Sequence, residues 1–292
     1  MGESKSLVSL GDLGKPANTL IEKISDAIGG IARPWQIVRV AEAEAEAEKI
    51  RVATQIEVTE LQRRAMVRFI AEEAKRQNNI EGITAKALPA VSPDARPEQM
   101  EDDWISHFFE KCRLISNDDM QSLWARILAG EANSPGRFSK RTVDLVGTLD
   151  RSDALLFAQL CSFAVSLGEQ MFPLVYEPNN EIYKKNGIDF SALSHLESIG
   201  LIRFSELAGY VNEGLGQKGN VPYFGIGIWI EFAQPENNVL QLGKVLLTKA
   251  GQQLAPISGA TPVRGFPAYV REQWKKFGYK TEPPAAGDAP VP

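Results

Sequence analysis

Apolar residues in the first part of the chain recur every three or four positions, which predicts helices. Between residues 13 and 31 they form one stripe, with Pro16 suited to a first turn and Gly29 and Pro34 as stop signals. This pattern predicts an amphipathic N-terminal segment over residues 1–34. Its apolar face consists of Leu13, Leu20, Ile21, Ile24, Ile28 and Ile31.

Two interpretations of this apolar face stay open: packing against another helix or another copy of the chain, and an interfacial helix on a membrane. The polar side is mixed in sign, which favours packing.

Residues 35–86 are rich in helix formers and run for more than forty positions without Gly or Pro. The alternation AEAEAEAEK has the period of a strand, but Ala and Glu both favour helix, so propensity predicts one long helix. Its alanines and its imperfect apolar stripe suit association with other helices, as in a coiled coil or homo-oligomer. The alternative is a solvated helix held by ion pairs.

Three prolines and few large apolar residues in residues 87–99 predict a hinge between modules. A helical block follows over residues 100–149. Its first apolar face lies between Trp104 and Cys112, and its second lies between Met120 and Leu128. Ser139 is predicted to cap the helix KRTVDLVGTL, and Ser152 is predicted to cap the helix DALLFAQLCSFAVSL. Consecutive helices with short joints form a bundle.

Residues 150–258 carry a winged-helix pattern. The helix DFSALSHLES ends at a glycine, strands are expected near 201–204, 223–232 and 245–247, and LTKAG returns the chain to helix. Residues 259–292 form a C-terminal extension with a disordered tail from about Pro283. The predicted fold class is therefore mainly α, with a long N-terminal helix, a helical bundle and a winged-helix-like α+β C-terminal module.

Charge argues against the usual function of a winged helix. The chain holds 32 Lys and Arg against 37 Asp and Glu, a formal charge of −5. The helix that would enter a DNA groove has no Lys or Arg, so the phosphate contacts that dominate such binding are missing and nucleic acid is disfavoured as a partner. The one concentrated basic cluster is Arg137, Lys140 and Arg141. It predicts an anion or nucleic-acid contact at a helix start, against the alternative of solvated charges beside a cap.

Cellular location follows from cysteine usage and hydropathy. Cys112 and Cys161 lie in apolar helical patterns, and no signal-peptide pattern follows Met1, which favours reduced thiols in the cytoplasm. No run reaches the ~18 consecutive apolar residues of a membrane-spanning helix. A peripheral position at the inner membrane follows only if the N-terminal segment lies on lipid.

The run SLWARILAGEANSPGRFSKRTVDLVGTLDRSDALLF resembles an uncharacterised bacterial family, the domain of unknown function 2806. The segments LGDLGKPANTLIEKISDAIGGIARPWQ and AEAEAEAEKI resemble the same family. The LWARILAGE helix with its following turn is also similar, over a shorter stretch, to the abortive-infection alpha proteins. That second resemblance implies a role in bacterial defence against phage or in prophage biology.

Catalytic chemistry has no recognisable pattern in this sequence. There is no nucleophile elbow, P-loop or dinucleotide fingerprint, and GLGQKG is followed by a strand pattern rather than by the helix that a phosphate loop needs. His107 and Cys112 are five residues apart and do not share a helical face, so no metal site is predicted. We therefore predict no catalytic, cofactor-binding or metal-binding residues. The leading hypothesis is a non-enzymatic, self-associating interaction protein, and the alternatives are a membrane-acting abortive-infection effector and a DNA-binding regulator.

Overall fold

The chain divides into two compact units. The computed structural model describes residues 14–29 and 59–282. Unit 1 ends at Gly147, and unit 2 begins at Thr148. Several sequence predictions lie outside the described residues: the part of the long helix in residues 35–58, the tail from Pro283, and the apolar-face residues Leu13 and Ile31.

Unit 1 consists of helices and turns in its described part. The helices are α1 (Lys15–Ile28), α2 (Glu60–Ala87), α3 (Asp102–Cys112), α4 (Asp118–Asn133) and α5 (Lys140–Val146), with short 3-10 turns at Leu88–Ala90 and Pro97–Gln99. Helix α1 packs on α3 and on the 97–99 turn, α2 packs on α4, and α3 packs on α5. This arrangement forms a helical bundle around one apolar core.

Aromatic side chains fill the centre of unit 1. The Phe108 ring stacks on Trp104 and meets the ring edges of Phe109 and Trp124, each with ring centroids 5.1 Å apart. All four side chains are buried. Such offset and edge-to-face contacts are the favoured geometries of aromatic pairs, and they tie α3 to α4.

Helix α2 begins with a capping box, which corrects the prediction of one uninterrupted helix from residue 35. The Thr59 hydroxyl accepts from the Gln62 N–H at 3.4 Å, and the Gln62 side chain accepts from the Thr59 N–H at 3.0 Å. Thr59 itself has extended dihedrals, with φ −58° and ψ 153°. Because an N-cap residue lies outside the helix, helical hydrogen bonding does not run through Thr59.

The segment 87–99 is not a hinge, which corrects a second prediction. It lies inside unit 1 and is bonded to the end of α4. The Asn133 side chain accepts from the Ser92 N–H at 2.7 Å and donates to the Ala90 carbonyl at 3.0 Å, and the Arg96 N–H donates to Ala132 at 3.0 Å. The prolines therefore shape a fixed turn rather than a flexible linker.

Unit 2 mixes short helices with two-stranded antiparallel sheets. Its helices are α6 (Arg151–Cys161), α7 (Glu181–Lys184), α8 (Phe190–Ser198), α9 (Lys249–Leu254) and α10 (Phe266–Lys276), with a 3-10 turn at Ala255–Ile257. Its strands are β1 (Ala164–Leu167), β2 (Gln170–Pro173), β3 (Ile202–Phe204), β4 (Tyr210–Leu215), β5 (Lys218–Tyr223), β6 (Ile226–Glu231), β7 (Asn238–Gly243) and β8 (Val245–Leu247). The pairs are β1–β2, β3–β8, β4–β7 and β5–β6. The chain is thus mainly helical, with small antiparallel sheets in its C-terminal part.

The predicted helix DALLFAQLCSFAVSL is too long at its end. Helix α6 stops at Cys161, and Ala164–Leu167 is strand β1, which pairs with β2 through a turn where Gly168 has φ +61°. The cap is also different from the predicted Ser152, because Asp150 and Asp153 form a capping box.

The chain from α8 to α9 follows the predicted order. Asp189 caps α8, β3 pairs with β8, and the Thr248 hydroxyl caps α9 by accepting from the Gly251 N–H at 3.1 Å. A Cβ on Gly251 would come within 2.2 Å of the Leu201 carbonyl oxygen. The glycine of the LTKAG motif is therefore required because α9 passes directly over the backbone before β3.

Tyrosine hydroxyls fix the backbone in the core of unit 2. The Tyr223 hydroxyl donates to the Ser162 carbonyl at 2.8 Å and accepts from the Val263 N–H at 2.6 Å. The Trp274 indole N–H donates to the Tyr176 hydroxyl at 2.7 Å, which donates in turn to the Gln241 carbonyl at 3.0 Å. These bonds satisfy polar groups inside an aromatic core, so burial of the tyrosines carries little penalty.

The last described residues close one edge of this core. Lys280 and Glu231 exchange two backbone hydrogen bonds, at 2.8 and 3.0 Å, beside the end of β6. The Tyr279 hydroxyl donates to the Val239 carbonyl at 2.8 Å and accepts from the Gln241 N–H at 3.2 Å. Residues 279–281 therefore connect β6 with β7.

Candidate functional site

The run that resembles known families forms a helix and a turn held by a buried carboxylate. Glu131, 2% exposed, accepts from the backbone N–H groups of Gly136 at 2.6 Å and Phe138 at 2.8 Å. Burial raises the pKa of Glu131, and its backbone hydrogen bonds oppose that rise. All of its close donors belong to the turn, so the carboxylate stabilises the turn and is not available to a substrate.

Phe138 fits against a helix position where only glycine leaves space. A Cβ on Gly130 would lie 2.8 Å from the Phe138 ring, and the Trp104 indole N–H donates to the Phe138 carbonyl at 2.7 Å. The LAGE and PGRF parts of the sequence are therefore complementary halves of one packing motif. The sequence run that carries the resemblance has a structural explanation.

The predicted basic cluster lies on this turn and on the first turn of α5. The Arg137 guanidinium sits 5.4 Å above the Phe138 ring, a cation–π arrangement. Lys140 is 3.9 Å from the Asp103 carboxylate, and Arg141 is exposed. The contact of this cluster with an anion or nucleic acid stays a prediction.

A pocket that the sequence did not reveal lies between α2 and α4. It has a volume of about 270 Å³ and is lined by Lys86, Ala90, Ser122, Ala125 and Arg126. The Lys86 ammonium is 2.5 Å from an Asp118 carboxylate oxygen and donates to the Gln121 side-chain oxygen at 3.0 Å. One of the two cations in the pocket is thus already paired.

Arg126 is the second cation, and it has no such partner. Its Nε is buried without a hydrogen-bond partner, and no ion pair involves it within the part of the chain that the structure describes. Burial lowers the pKa of the Arg126 guanidinium, with no carboxylate to offset that effect. The available sequence signal was a lone arginine inside the apolar stripe of LWARIL, where a leucine or alanine would be ordinary.

Buried amides connect α2 and α4 beside this pocket. The Asn79 side chain donates to the Arg113 carbonyl at 2.8 Å, and the Gln121 side chain donates to the Ile115 carbonyl at 2.9 Å and to Asn79 at 3.4 Å. The bonds fix the position of Gln121, which in turn orients Lys86. The walls of the pocket are therefore set by the fold.

The two histidines each lie beside one carboxylate, and they belong to different units. His107 is 3.0 Å from Asp144, and His195 is 2.7 Å from Asp153. Burial tends to raise the pKa of Asp153, but the His195 bond and charge and the Asp150 N–H outweigh it and lower that pKa. Among the described residues, no group of three or more His, Cys, Asp or Glu is placed to hold a metal ion.

Both cysteines are buried and free. Burial raises the pKa of Cys161 to about 12, and it raises the pKa of Cys112 further. A thiolate is the reactive form of cysteine, so neither thiol is suited to nucleophilic work.

The predicted N-terminal face is occupied by the protein itself. Leu20 and Ile24 are 0% exposed and Ile21 is buried, with α1 packed on α3, while Ile28 is half-buried. Binding to lipid through this face would require α1 to leave its place in the bundle. Within residues 14–29 and 59–282, no helix combines the length and apolar character needed to cross a bilayer.

The first half of α2 exposes large apolar side chains. Leu61 is 69% exposed, Phe69 58%, Met66 43% and Val67 42%. From Glu60 to Ala74, every described side chain is exposed except Ile70 and Glu73, which are half-buried. This surface, residues 60–76, is hereafter the α2 arm.

Comparison with known proteins yields one family. The model of a protein of unknown function (DUF2806) matches residues 63–271, which is more than half of the chain. The two N-terminal segments that resemble the same family in sequence, before residue 51, lie outside the matched range. No curated protein and no solved structure matches the chain.

Proposed function

The chain belongs to the DUF2806 family, and from that premise we propose that it is a non-enzymatic protein that associates with a second copy of itself through the α2 arm. The family assigns no activity, so the proposal depends on the surface of the protein. The single observation that carries it is the exposure of Leu61, Met66, Val67 and Phe69 on one helix.

The geometry of the arm suits pairing with another helix. Leu61, Ala65 and Phe69 are spaced by four residues, so they lie along one side of the helix, with Met66 beside them. At 1.5 Å per residue, residues 60–76 extend for about 25 Å. An exposed helix of that length with a line of apolar side chains can bury it against a partner helix, as coiled coils do.

The arm carries five cations against three carboxylates, a net charge of +2, and its carboxylates are paired within the helix. Glu60 pairs with Arg63 and Arg64, and Glu72 and Glu73 pair with Arg76 on the same helix. The carboxylates of the arm are thus neutralised within the arm. The arm therefore offers a partner its apolar side chains together with a small excess of positive charge.

Light scattering on the full-length protein tests self-association. We expect wild-type protein to have the mass of a dimer or larger oligomer and the double variant Leu61→Glu, Phe69→Glu to have a lower mass, because two charges would be desolvated in the interface. The matched control is Leu207→Glu, which places the same charge at a 99% exposed leucine of unit 2. A monomeric wild-type protein, or equal masses for wild type and double variant, would contradict the proposal.

Point variants are preferable to removal of the N-terminal region. Deletion of residues 1–80 would remove Leu20 and Ile24, which are fully buried in the bundle, together with Asn79 of the α2–α4 joint. Unit 1 would not fold in such a fragment, so a change in its mass would not report on association. The glutamate substitutions change exposed positions only.

The cellular setting that we propose is phage defence or prophage biology in a bacterial cytoplasm. Its support is the resemblance of the LWARILAGE run to abortive-infection alpha proteins. Plating efficiency of phage on bacteria that express the wild type, the double variant or Leu207→Glu tests it. Protection by wild type and Leu207→Glu but not by the double variant would support both the role in phage defence and the need for the α2 arm. No protection by any of the three would argue against the role in phage defence.

We also propose that unit 2 is a winged helix whose role is contact with protein. Support comes from the order α6, α7, α8, β3 and β8, with the hairpin strands β4 to β7 in the place of a wing. Helix α8 carries no Lys or Arg, and His195 on it is paired with Asp153. A salt-sensitive shift of duplex DNA that disappears in Arg137→Glu, Arg141→Glu would instead favour the DNA-binding alternative.

The membrane-acting alternative has a direct test. Co-sedimentation with liposomes, with and without anionic lipid, would leave the wild-type protein in the supernatant if α1 stays in the bundle. Its recovery with the lipid, and loss of that recovery in Ile24→Glu protein that remains folded, would favour the effector.

A further inference from the structure

We propose that the pocket lined by Lys86, Ala90, Ser122, Ala125 and Arg126 binds a small phosphate-bearing molecule. This site is separate from the α2 arm and concerns a different function of unit 1. The pocket brings a guanidinium and an ammonium together at a surface that holds about 270 Å³. The Arg126 Nε is buried without a hydrogen-bond partner among the described residues, 14–29 and 59–282.

The unpaired arginine is the strongest part of the case. Placing a cation in a partly buried position without a partner costs free energy, because the charge loses hydration and gains nothing in return. An apolar residue there would continue the stripe formed by Leu123, Trp124 and Ile127. A bound anion would supply the missing partner, and burial lowers the pKa of Arg126 in the direction expected for an unpaired guanidinium.

The shape of the pocket narrows the ligand class. The guanidinium fork and the Lys86 ammonium suit a phosphate group, which accepts several hydrogen bonds at once. A water molecule takes about 30 Å³ of liquid volume, so the pocket has room for a phosphate and a short tail. No aromatic ring lines it, and a nucleobase would have no surface on which to stack. A small phosphate monoester fits these features better than a nucleotide.

Asp118 controls how strongly the site attracts an anion. Its carboxylate is 2.5 Å from the Lys86 ammonium and competes with an incoming phosphate for the same donors. The Asp118 side chain is 86% exposed, so it can turn toward water when a phosphate approaches. Removal of the Asp118 charge would therefore strengthen phosphate binding. If the Lys86–Asp118 pair were instead needed to shape the pocket, the same change would weaken binding.

Calorimetric titration of the full-length protein with inorganic phosphate, glycerol 3-phosphate and acetate tests the proposal. We expect the phosphate ester to bind at least as tightly as inorganic phosphate, and acetate to bind least. Arg126→Gln should weaken phosphate binding by about tenfold or more, the usual effect of one charge-assisted hydrogen bond. Arg126→Lys should retain part of it, and Asp118→Asn should bind more tightly than wild type.

Two controls separate this pocket from other cations. Arg64→Gln removes an exposed arginine of the α2 arm and should leave binding unchanged. The double variant Arg137→Gln, Arg141→Gln tests the basic cluster of the turn. Absence of phosphate binding by wild type, equal binding by wild type and Arg126→Gln, or loss of binding only in the double variant would each overturn the assignment.

Denaturant unfolding of Arg126→Gln in phosphate-free buffer shows whether a loss of phosphate binding reflects a loss of folded structure. Because Arg126 has no partner to lose, we expect the variant to be as stable as the wild type or more so, while it no longer gains stability from added phosphate. A variant that unfolds at clearly lower denaturant would show that the arginine supports the fold and would overturn its role as a ligand-binding residue.

Discussion

The two halves of α2 belong to one continuous helix but have opposite environments. Its second half, residues 77–87, is packed against α4, with Asn79, Ile80, Ile83 and Ala87 buried. The α2 arm is exposed over most of its length and carries apolar side chains in water. Helix formation in this sequence therefore does not depend on packing at every turn.

Local interactions explain how the arm stays helical. The capping box at Thr59 satisfies the first N–H groups, and ion pairs three or four residues apart line the helix. Each exposed pair contributes only about 0.3–0.5 kcal/mol. Isolated helices of this length are marginal, so the packed half acts as the anchor from which the arm extends. The packed half of α2 therefore contributes to the stability of unit 1, and we assign contact with a partner to the arm.

The largest effect is expected for Ile83→Ala. Ile83 is 0% exposed in the packed half, so its truncation leaves a cavity and should reduce the free energy of unfolding by about 2–5 kcal/mol. Phe69→Ala, in the arm, removes a larger side chain that is 58% exposed, and it should change the free energy of unfolding by less than about 0.5 kcal/mol. Denaturant unfolding at low protein concentration measures both. Similar losses for the two variants would break the comparison.

A smaller loss is expected for Asn79→Ala. The change leaves the Arg113 carbonyl without its 2.8 Å donor and should reduce the free energy of unfolding by about 1–3 kcal/mol. Its neighbour Asn78 is exposed, so Asn78→Ala is the matched control and should be nearly neutral. If both variants unfold alike, the buried amides do not hold α2 to α4.

The smallest global effect is expected for Thr59→Ala. Loss of a cap typically costs about 1 kcal/mol, but here the cost falls on a helix end far along the chain from the packed half. We expect faster hydrogen exchange at the Gln62 and Arg63 amides and little change in global unfolding. Thr59→Ser retains the hydroxyl and should exchange as the wild type does. Equally faster exchange throughout residues 77–87 would show that the halves unfold together.

Much of the secondary structure was predictable from sequence, and the errors have specific causes. Helices α3 and α4 and strands β3 and β8 followed from apolar spacing and turn residues. Helix propensity alone extended α2 back to residue 35, although TELQ carries a capping-box pattern that marks a start at Thr59. AVSL was assigned to a helix because its apolar run has no period that separates a buried helix from a strand.

The candidate pocket was not predictable from sequence. The density of positive charge in the sequence predicted an anion contact at Arg137, Lys140 and Arg141. Arg126, which lines the pocket, is a single cation among apolar residues and gave no such signal. Whether a cation is paired depends on neighbours distant in the chain. Lys86 pairs with Asp118 across 32 residues, whereas the Arg126 Nε has no hydrogen-bond partner in the described part of the chain. Such pairing is fixed by tertiary packing, which no local pattern encodes.

The backbone bridge between Lys280 and Glu231 has a practical consequence for anyone who produces unit 2 by itself. The family match ends at residue 271, in the middle of α10, before the fully buried Trp274 and before the bridge. A recombinant fragment cut at that point would lose the buried Trp274 side chain and would leave the backbone groups of Glu231, at the end of β6, without their partner. Unpaired strand backbone is a common cause of aggregation. Fragments that retain residues through Glu282 keep Trp274 and the bridge to Glu231, and an affinity tag can follow there.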